Sequence, residues 1–313
     1  MTDRLILGVD AGGSKTVAAA YCKDGTKLAQ VTGGAGNVTV DTQAGCRALS
    51  DTVRALLAHP ALQGRTTTLP YLCVGCAGVE ASGLAPMVTA ALLRSLSGQV
   101  GKIDVISDAS LALYAAHGNA DGILIISGTG SIGYRRDGDT LLRCGGWGHL
   151  LGDEGSGYDI VIRAFRAVTE AADAGLAAPQ PLQDALLDAM GVDASQWVSH
   201  LYRSTKAQIA ALFPAVAACA AQGDPLSRRL LTQAGEQLGA LVSALLARQP
   251  SPTALPVACS GGILTKNSIV RAAFARAIRD LPITTIFDVD EPTRGAPARY
   301  FAISAQPSHH HTP

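Results

Sequence analysis

The sequence predicts an α/β chain made of two successive mixed sheets, each flanked by helices, and three observations lead there. The chain opens on three short apolar runs joined by turns, and only afterwards do strands alternate with helices. The same order starts again near Asp121. Its 313 residues, 48% hydrophobic and 16% charged, suit about two packed domains at roughly 150 residues each. An average soluble domain carries about 25% charged residues, so this composition excludes intrinsic disorder, and the length excludes a disulfide-stapled miniprotein.

Each element follows from local pattern. Leu5 to Asp10 is a short apolar run ended by Ala11-Gly12-Gly13-Ser14-Lys15-Thr16, and Val17 to Cys22 with the turn Lys23-Asp24-Gly25-Thr26 makes a second strand. This is a hairpin opening rather than a βαβ unit. Lys27 to Val31 makes a third strand, and Ala44 to Ala58 carries Leu49, Val53, Leu56 and Leu57 at helical spacing. Leu69 to Gly75 and Ile103 to Ser107 supply two more strands, the second ahead of a helix over Leu111 to Ala116. Asp121 to Ser127 then runs into Gly128-Thr129-Gly130, and Ile132 to Arg136 with Thr140 to Arg143 forms a second hairpin.

The two halves read as loose copies of one design, an N-terminal domain over 1–119 and a C-terminal domain over 120–313 that includes a helical insertion. Past Gly157 come long helices, among them Leu226 to Arg248 with Leu230, Leu231, Ala234, Leu238, Leu241, Val242 and Leu245 on one stripe. Val257 to Ser260 meets Gly261-Gly262, and Ser268 to Arg279 is helical. Pro282 to Val289 is a last strand before a short terminal helix, and Ser308 to Pro313 reads as a frayed tail.

Lys plus Arg and Asp plus Glu both number 25, so no net field draws the chain to nucleic acid or an anionic membrane. The N-terminal apolar run ends too early for a secretory core, and no run reaches the roughly 18 apolar residues of a membrane span. A cytoplasmic protein with small-molecule partners is expected, with no nucleic acid and no membrane. The seven cysteines, at 22, 46, 73, 76, 144, 219 and 259, fit buried reduced thiols better than a disulfide framework. Cys73 and Cys76 lie in an apolar strand, and neither a second pair nor a neighbouring His completes a zinc set.

Three glycine-rich turns each follow a strand: Asp10 to Thr16, Ser127 to Gly130 and Ser260 to Gly262. Glycine lets backbone N–H groups approach phosphate oxygens, because the missing Cβ clears space and allows positive φ. Gly128 to Gly133 also matches GxGxxG, but a hairpin follows where a dinucleotide fold needs a helix. No Walker A loop occurs. Asp108, between a strand and a helix, has the position of an N-cap; placed near phosphate turns it can instead take the proton of a hydroxyl attacking a γ-phosphoryl group. Gly145 to Gly157 holds Trp147, His149, Asp153 and Glu154 among its glycines, a composition suited to a loop around a polar ligand.

Asp10-Ala11-Gly12-Gly13-Ser14-Lys15-Thr16, Asp108-Ala109, Ser127-Gly128-Thr129-Gly130-Ser131 and Gly145 to Gly157, in that order, resemble the motifs of the N-acetylglucosamine kinase family. That family is part of the actin, sugar kinase and Hsp70 superfamily and is related to the activator ATPases of benzoyl-CoA reductase. The resemblance implies a two-domain actin-like ATPase fold, ribonuclease H-like, and transfer of phosphate from ATP to the 6-hydroxyl of N-acetylglucosamine or a related amino sugar. By the same resemblance Asp10 orients hydrated Mg²⁺, and Gly12, Gly13, Ser14, Lys15 and Thr16 touch the β- and γ-phosphates. Gly128, Thr129 and Gly130 hold phosphate, and Gly261 and Gly262 form the adenosine turn. Asn37, Gly146, Trp147 and Asp153 contact the sugar, Asp108 is the catalytic base, and a homodimer is expected. Gly75-Cys76-Ala77-Gly78 departs from the serine or second glycine of many relatives. A glucosamine kinase, or an activator-type ATPase without a sugar substrate, is the alternative.

Overall fold

The computed structural model describes residues 5–13, 15–65, 69–138, 140–176 and 180–305, so Ser14 and the expected tail lie outside the described residues. The chain divides into two units: the residues up to Ala120 together with those from Val289 onward, and Asp121–Asp288. In the first unit β1 (Ile6–Ala11), β2 (Thr16–Tyr21), β3 (Lys27–Gly33), β4 (Tyr71–Cys76) and β5 (Lys102–Ser107) form one sheet in the order β3-β2-β1-β4-β5. The β1-β2-β3 meander is antiparallel, whereas β1, β4 and β5 run parallel. Tight turns suffice for the meander, while parallel strands need crossovers; the helices Thr42–Leu57 and Ala85–Ser95 lie in those connections.

The second unit repeats the plan. β6 (Gly122–Ser127), β7 (Ser131–Asp137), β8 (Thr140–Gly145), β9 (Leu255–Ser260) and β10 (Ile283–Asp288) are ordered β10-β9-β6-β7-β8. Here too the meander β6-β7-β8 is antiparallel and β6, β9 and β10 are parallel. The expected duplication is therefore a duplication of topology, and each unit is the mixed sheet flanked by helices that an actin-like ATPase contains.

Central parallel strands are buried on both faces, which explains why their sequences read as continuous apolar runs instead of alternating ones. Leu7, Val9, Leu72 and Val74 pack with Leu49, Val53, Leu56 and Leu92 on one side, and Ile6, Tyr71 and Cys73 with Leu111 and Ala296 on the other. Burial pushes the Cys73 and Cys76 thiols up to about 12, so both stay protonated and unreactive. In the second unit the 24-residue helix Pro225–Arg248 buries Leu230, Leu231, Ala234, Leu238, Val242 and Leu245. No single helix among the described residues is long and apolar enough to cross a membrane.

The end of the chain corrects the sequence-based division at 119/120. Residues from Val289 onward complete the first unit, not the second. In the closing helix Gly295–Ala305, Ala296 packs against Ile6 and Tyr71, and Arg299 donates from Nε to Asp104 Oδ2 at 2.6 Å and from Nη1 to the Tyr114 hydroxyl at 2.8 Å. Tyr71 donates its hydroxyl to the same Asp104 oxygen at 3.1 Å. Just before this helix, Tyr21 and Thr293 share a buried hydroxyl contact of 2.8 Å. These partners lie far apart in sequence, so no local pattern announced them.

Arg299→Met removes both bonds and leaves Asp104 half-buried with only the tyrosine. We expect a loss of about 1–3 kcal/mol, below the cost of breaking a fully buried pair because both groups keep some solvent. Chemical denaturation monitored by circular dichroism measures it; an unchanged midpoint would show that the closing helix is held by apolar contacts alone.

Candidate active site

Two of the implied site residues stand at the C-terminal edge of the parallel strands of the first unit. Strand register sets Asp10 opposite Gly75 and Gly75 opposite Ile106, two residues before Asp108. Gly75 leaves the space between them without a side chain: a Cβ there would fall 2.9 Å from the Leu111 Cβ and 3.3 Å from the Asp108 Cα. Asp108 is the first residue of the helix Asp108–His117, but Ser107 is the N-cap, its hydroxyl accepting from the Ser110 N–H at 3.1 Å. The capping position read for Asp108 therefore belongs to its neighbour, and Asp108 accepts instead from the Ala109 N–H at 2.9 Å.

The two carboxylates act on one another. Asp10 is pushed up to about 6, first by burial and then by the charge of Asp108, with Lys15 opposing both. A hydrated divalent cation suits this donor set, because its charge would favour an ionised Asp10 against the burial and, secondarily, the Asp108 charge that hold it above the usual carboxylate range.

The turn after β1 is closed by the Gly12 N–H donating to Lys15 O at 3.0 Å and is tied to the next loop by the Gly36 N–H donating to Gly12 O at 3.1 Å. Gly13 and Lys15 are exposed and Gly12 partly so. Thr16 is different: it opens β2 fully buried, and its hydroxyl lies beneath Gly36 without a hydrogen-bond partner. The phosphate contact implied for Thr16 is thus not one its hydroxyl makes from the surface. Asn37 forms an Asx turn, its Oδ1 accepting from Thr39 N–H at 2.9 Å and from the Thr39 hydroxyl at 2.7 Å.

In the second unit the Ser127–Ser131 turn joins β6 to β7, closed by Gly128 N–H donating to Gly130 O at 2.9 Å. Residues 153–157 are clamped onto it. Ser127 Oγ donates to Gly155 O at 2.8 Å, Ser131 Oγ to Glu154 O at 2.7 Å, Ser131 N–H to Asp153 Oδ1 at 3.1 Å, and Gly157 N–H to Gly128 O at 2.8 Å. Gly130 does not adopt positive φ, contrary to the reason glycine is expected there. The reason is close approach: a Cβ would fall 2.8 Å from Asp153 Oδ1 and 2.6 Å from Lys206 Nζ. Gly261, which follows β9, has φ +87° and passes so close over Ser127 that a side chain would overlap its backbone. Gly262 starts the short helix Gly262–Lys266 beside it, so the second and third glycine turns adjoin at the ends of neighbouring parallel strands.

Asp153 is the one described non-glycine residue at positive φ, +69°, and is only 3% exposed. An aspartate held there costs on the order of 1 kcal/mol, offset by the bonds its carboxylate accepts. One oxygen takes the Ser131 N–H and the other faces Lys206 Nζ at 2.5 Å, an ion pair outside hydrogen-bond angles. Both oxygens are engaged by protein, so the sugar contact implied for Asp153 is not open in this state. Gly146 also sits at positive φ, pressed on Ile132 of β7. Trp147 is 66% exposed with the Arg143 guanidinium 4.6 Å from its ring centre, and His149 meets Tyr158 edge-on at 4.9 Å. Lys206 escaped the sequence reading. Thr205 and Gln208 around it form a capping box, which marks a helix start, yet nothing local ties Lys206 to Asp153.

The profile of the BadF/BadG/BcrA/BcrD ATPase family matches residues 7–288. An N-acetylmuramic acid/N-acetylglucosamine kinase of Clostridium acetobutylicum is 33% identical over 253 residues, 78% of this chain and 79% of the relative. An N-acetyl-D-glucosamine kinase of Dictyostelium discoideum is 26% identical over 95% of this chain and 97% of its own. A crystal structure from Chromobacterium violaceum, described as a candidate N-acetylglucosamine kinase, superposes with a TM-score of 0.77 at 30% identity, covering 95% of this chain and 99% of that one.

The folded-state pKa of Asp10 lies above the unfolded value of 3.8, so the folded chain binds this proton more tightly than the unfolded chain does. The associated stability is present below about pH 4 and is lost as pH rises through about 6. Asp10→Asn should therefore raise the stability by ~1–3 kcal/mol at pH 8 and leave it nearly unchanged at pH 4. Thermal unfolding at the two pH values checks this, and equal shifts at both would show that burial and the Asp108 charge do not raise the proton affinity of Asp10 in the folded chain.

Proposed function

The chain belongs to the BadF/BadG/BcrA/BcrD ATPase family, and on that premise we propose that it is an ATP-dependent amino-sugar kinase. Its reaction transfers the γ-phosphoryl group of ATP to the 6-hydroxyl of N-acetylglucosamine or a closely related amino sugar. The observation that carries the reading is the pair of carboxylates Asp10 and Asp108, set within electrostatic reach of each other at the ends of parallel strands. The amino-sugar kinases among its relatives support the substrate class, and the glycine turns suit a polyphosphate.

Phosphoryl transfer asks little covalent chemistry of a protein; positioning and charge stabilisation carry most of the rate. Asp108 takes the proton of the 6-hydroxyl as its oxygen bonds to the γ-phosphorus and ADP leaves with the bridging oxygen. Asp10 is the residue that would hold hydrated Mg²⁺, which when bound supplies neutralisation of polyphosphate charge. Gly12, Gly13 and Lys15 in the first unit, and Gly128, Thr129 and Gly130 in the second, are the proposed phosphate contacts. Gly261 and Gly262 are proposed for the adenosine. Asn37, Gly146 and Trp147 are proposed sugar contacts, Trp147 through the exposed face of its ring.

An ADP-release assay with N-acetylglucosamine, N-acetylmuramic acid and glucosamine tests the reading, with phosphorus NMR to locate the new ester. ADP release should depend on one of these sugars and yield the 6-phosphate. Asp108→Asn should lower kcat about 100-fold to 10,000-fold while ADP affinity is retained, since the amide cannot accept the hydroxyl proton and Ser107 still caps the helix. ATP hydrolysis indifferent to every sugar would turn the assignment to an activator-type ATPase.

A further inference from the structure

We propose that Lys206, from the helical insertion, is a phosphate-binding residue of the Ser127–Ser131 turn, and that Asp153 is the positioning residue that holds its ammonium there. The inference deepens the kinase reading and rests on its assignment of nucleotide phosphate to this turn.

Three observations in the second unit converge. Lys206 Nζ lies against the turn itself, where a Cβ on Gly130 would come within 2.6 Å of it. The side chain of Asp153 is 4% exposed, that of Lys206 30%; the pair is buried on its acidic side and open to solvent on its basic side. An ammonium has three N–H donors, and one carboxylate oxygen at 2.5 Å leaves the others for a second anion. The turn also presents unspent donors. Gly128 N–H closes the turn and Ser131 N–H goes to Asp153, whereas the N–H groups of Thr129 and Gly130 donate to no acceptor among the described residues. Two backbone N–H groups and an ammonium beside them form an anion site of the kind polyphosphates occupy.

Asp153 has a specific part in this. Its positive φ, its bond from Ser131 N–H and its buried carboxylate fix where the lysine ends. A flexible four-carbon stem would otherwise leave the ammonium free to sample solvent. Protein kinases use the same device, an acidic partner that holds a lysine on phosphate.

Calorimetry with ADP and Mg²⁺ on the full chain is the test. Lys206→Met should weaken ADP binding at least 10-fold, leave adenosine binding within 2-fold, and raise KM for ATP more than it lowers kcat; Lys206→Arg should recover most of the loss. A second measurement needs no variant. Amine-reactive labelling of Lys206 in the wild-type chain, read by mass spectrometry, should be suppressed several-fold by saturating ADP and unaffected by adenosine. ADP affinity unchanged in Lys206→Met, or labelling indifferent to ADP, overturns the assignment while sugar-dependent ADP release by the wild type leaves the kinase reading intact. A wild-type chain that does not bind ADP removes that reading, and the inference with it.

Discussion

The clamp between the Ser127–Ser131 turn and residues 153–157 is the constraint on which the second unit's chemistry depends. A β-turn between two strands is flexible unless its outward groups are held, and here both serine hydroxyls, one serine N–H and the Gly128 carbonyl are spent on a single partner segment. Each such bond contributes only about 1 kcal/mol net, but together they fix the turn in one conformation. They also leave the Thr129 and Gly130 N–H groups unspent, so rigidity and open donors come from the same arrangement. The serines that flank the glycine turn and the Asp153-Glu154-Gly155-Ser156-Gly157 run are two halves of one feature.

In the first unit the corresponding constraint is electrostatic. Asp10 is buried, and the Asp108 carboxylate across a side-chain-free strand position adds its charge, so ionising Asp10 is costly and its proton affinity rises. Such an arrangement is unfavourable for folding and useful for chemistry, a common trade at functional sites. Gly75 makes it possible by letting the helix start close over β4, and Ser107 makes it affordable in local terms by relieving Asp108 of the cap.

The closing segment shows how a duplicated topology is made into two non-identical units. Both sheets have the same strand order and pairing, yet only the first receives the chain end. Arg299, Asp104, Tyr71 and Tyr114 form a half-buried polar network there, and each member satisfies another. Partial satisfaction of such a group would be costly, which favours one seating for the helix.

Strand and helix positions were legible in the sequence because they rest on local period and turn chemistry: the hairpin openings, the repeat of the design from Asp121, and the stripe along Pro225–Arg248 were all readable from neighbours. The glycine turns and Asp108 were legible for the same reason, as residue types at strand ends, whereas the part proposed for Asp10 came from the family resemblance. What lay beyond the sequence was every feature made by residues distant along the chain. The closing helix joins the first unit through Arg299 and Asp104; Gly130 is required by the approach of Asp153 and Lys206 instead of by its own φ; Thr16 is sealed under Gly36. A linear pattern records what each residue prefers of its neighbours, whereas contact energies such as the Lys206–Asp153 pair exist only once strands and helices have been packed against each other. Sequence therefore determined the elements and the chemistry available at their ends, and tertiary structure decided which of those groups meet.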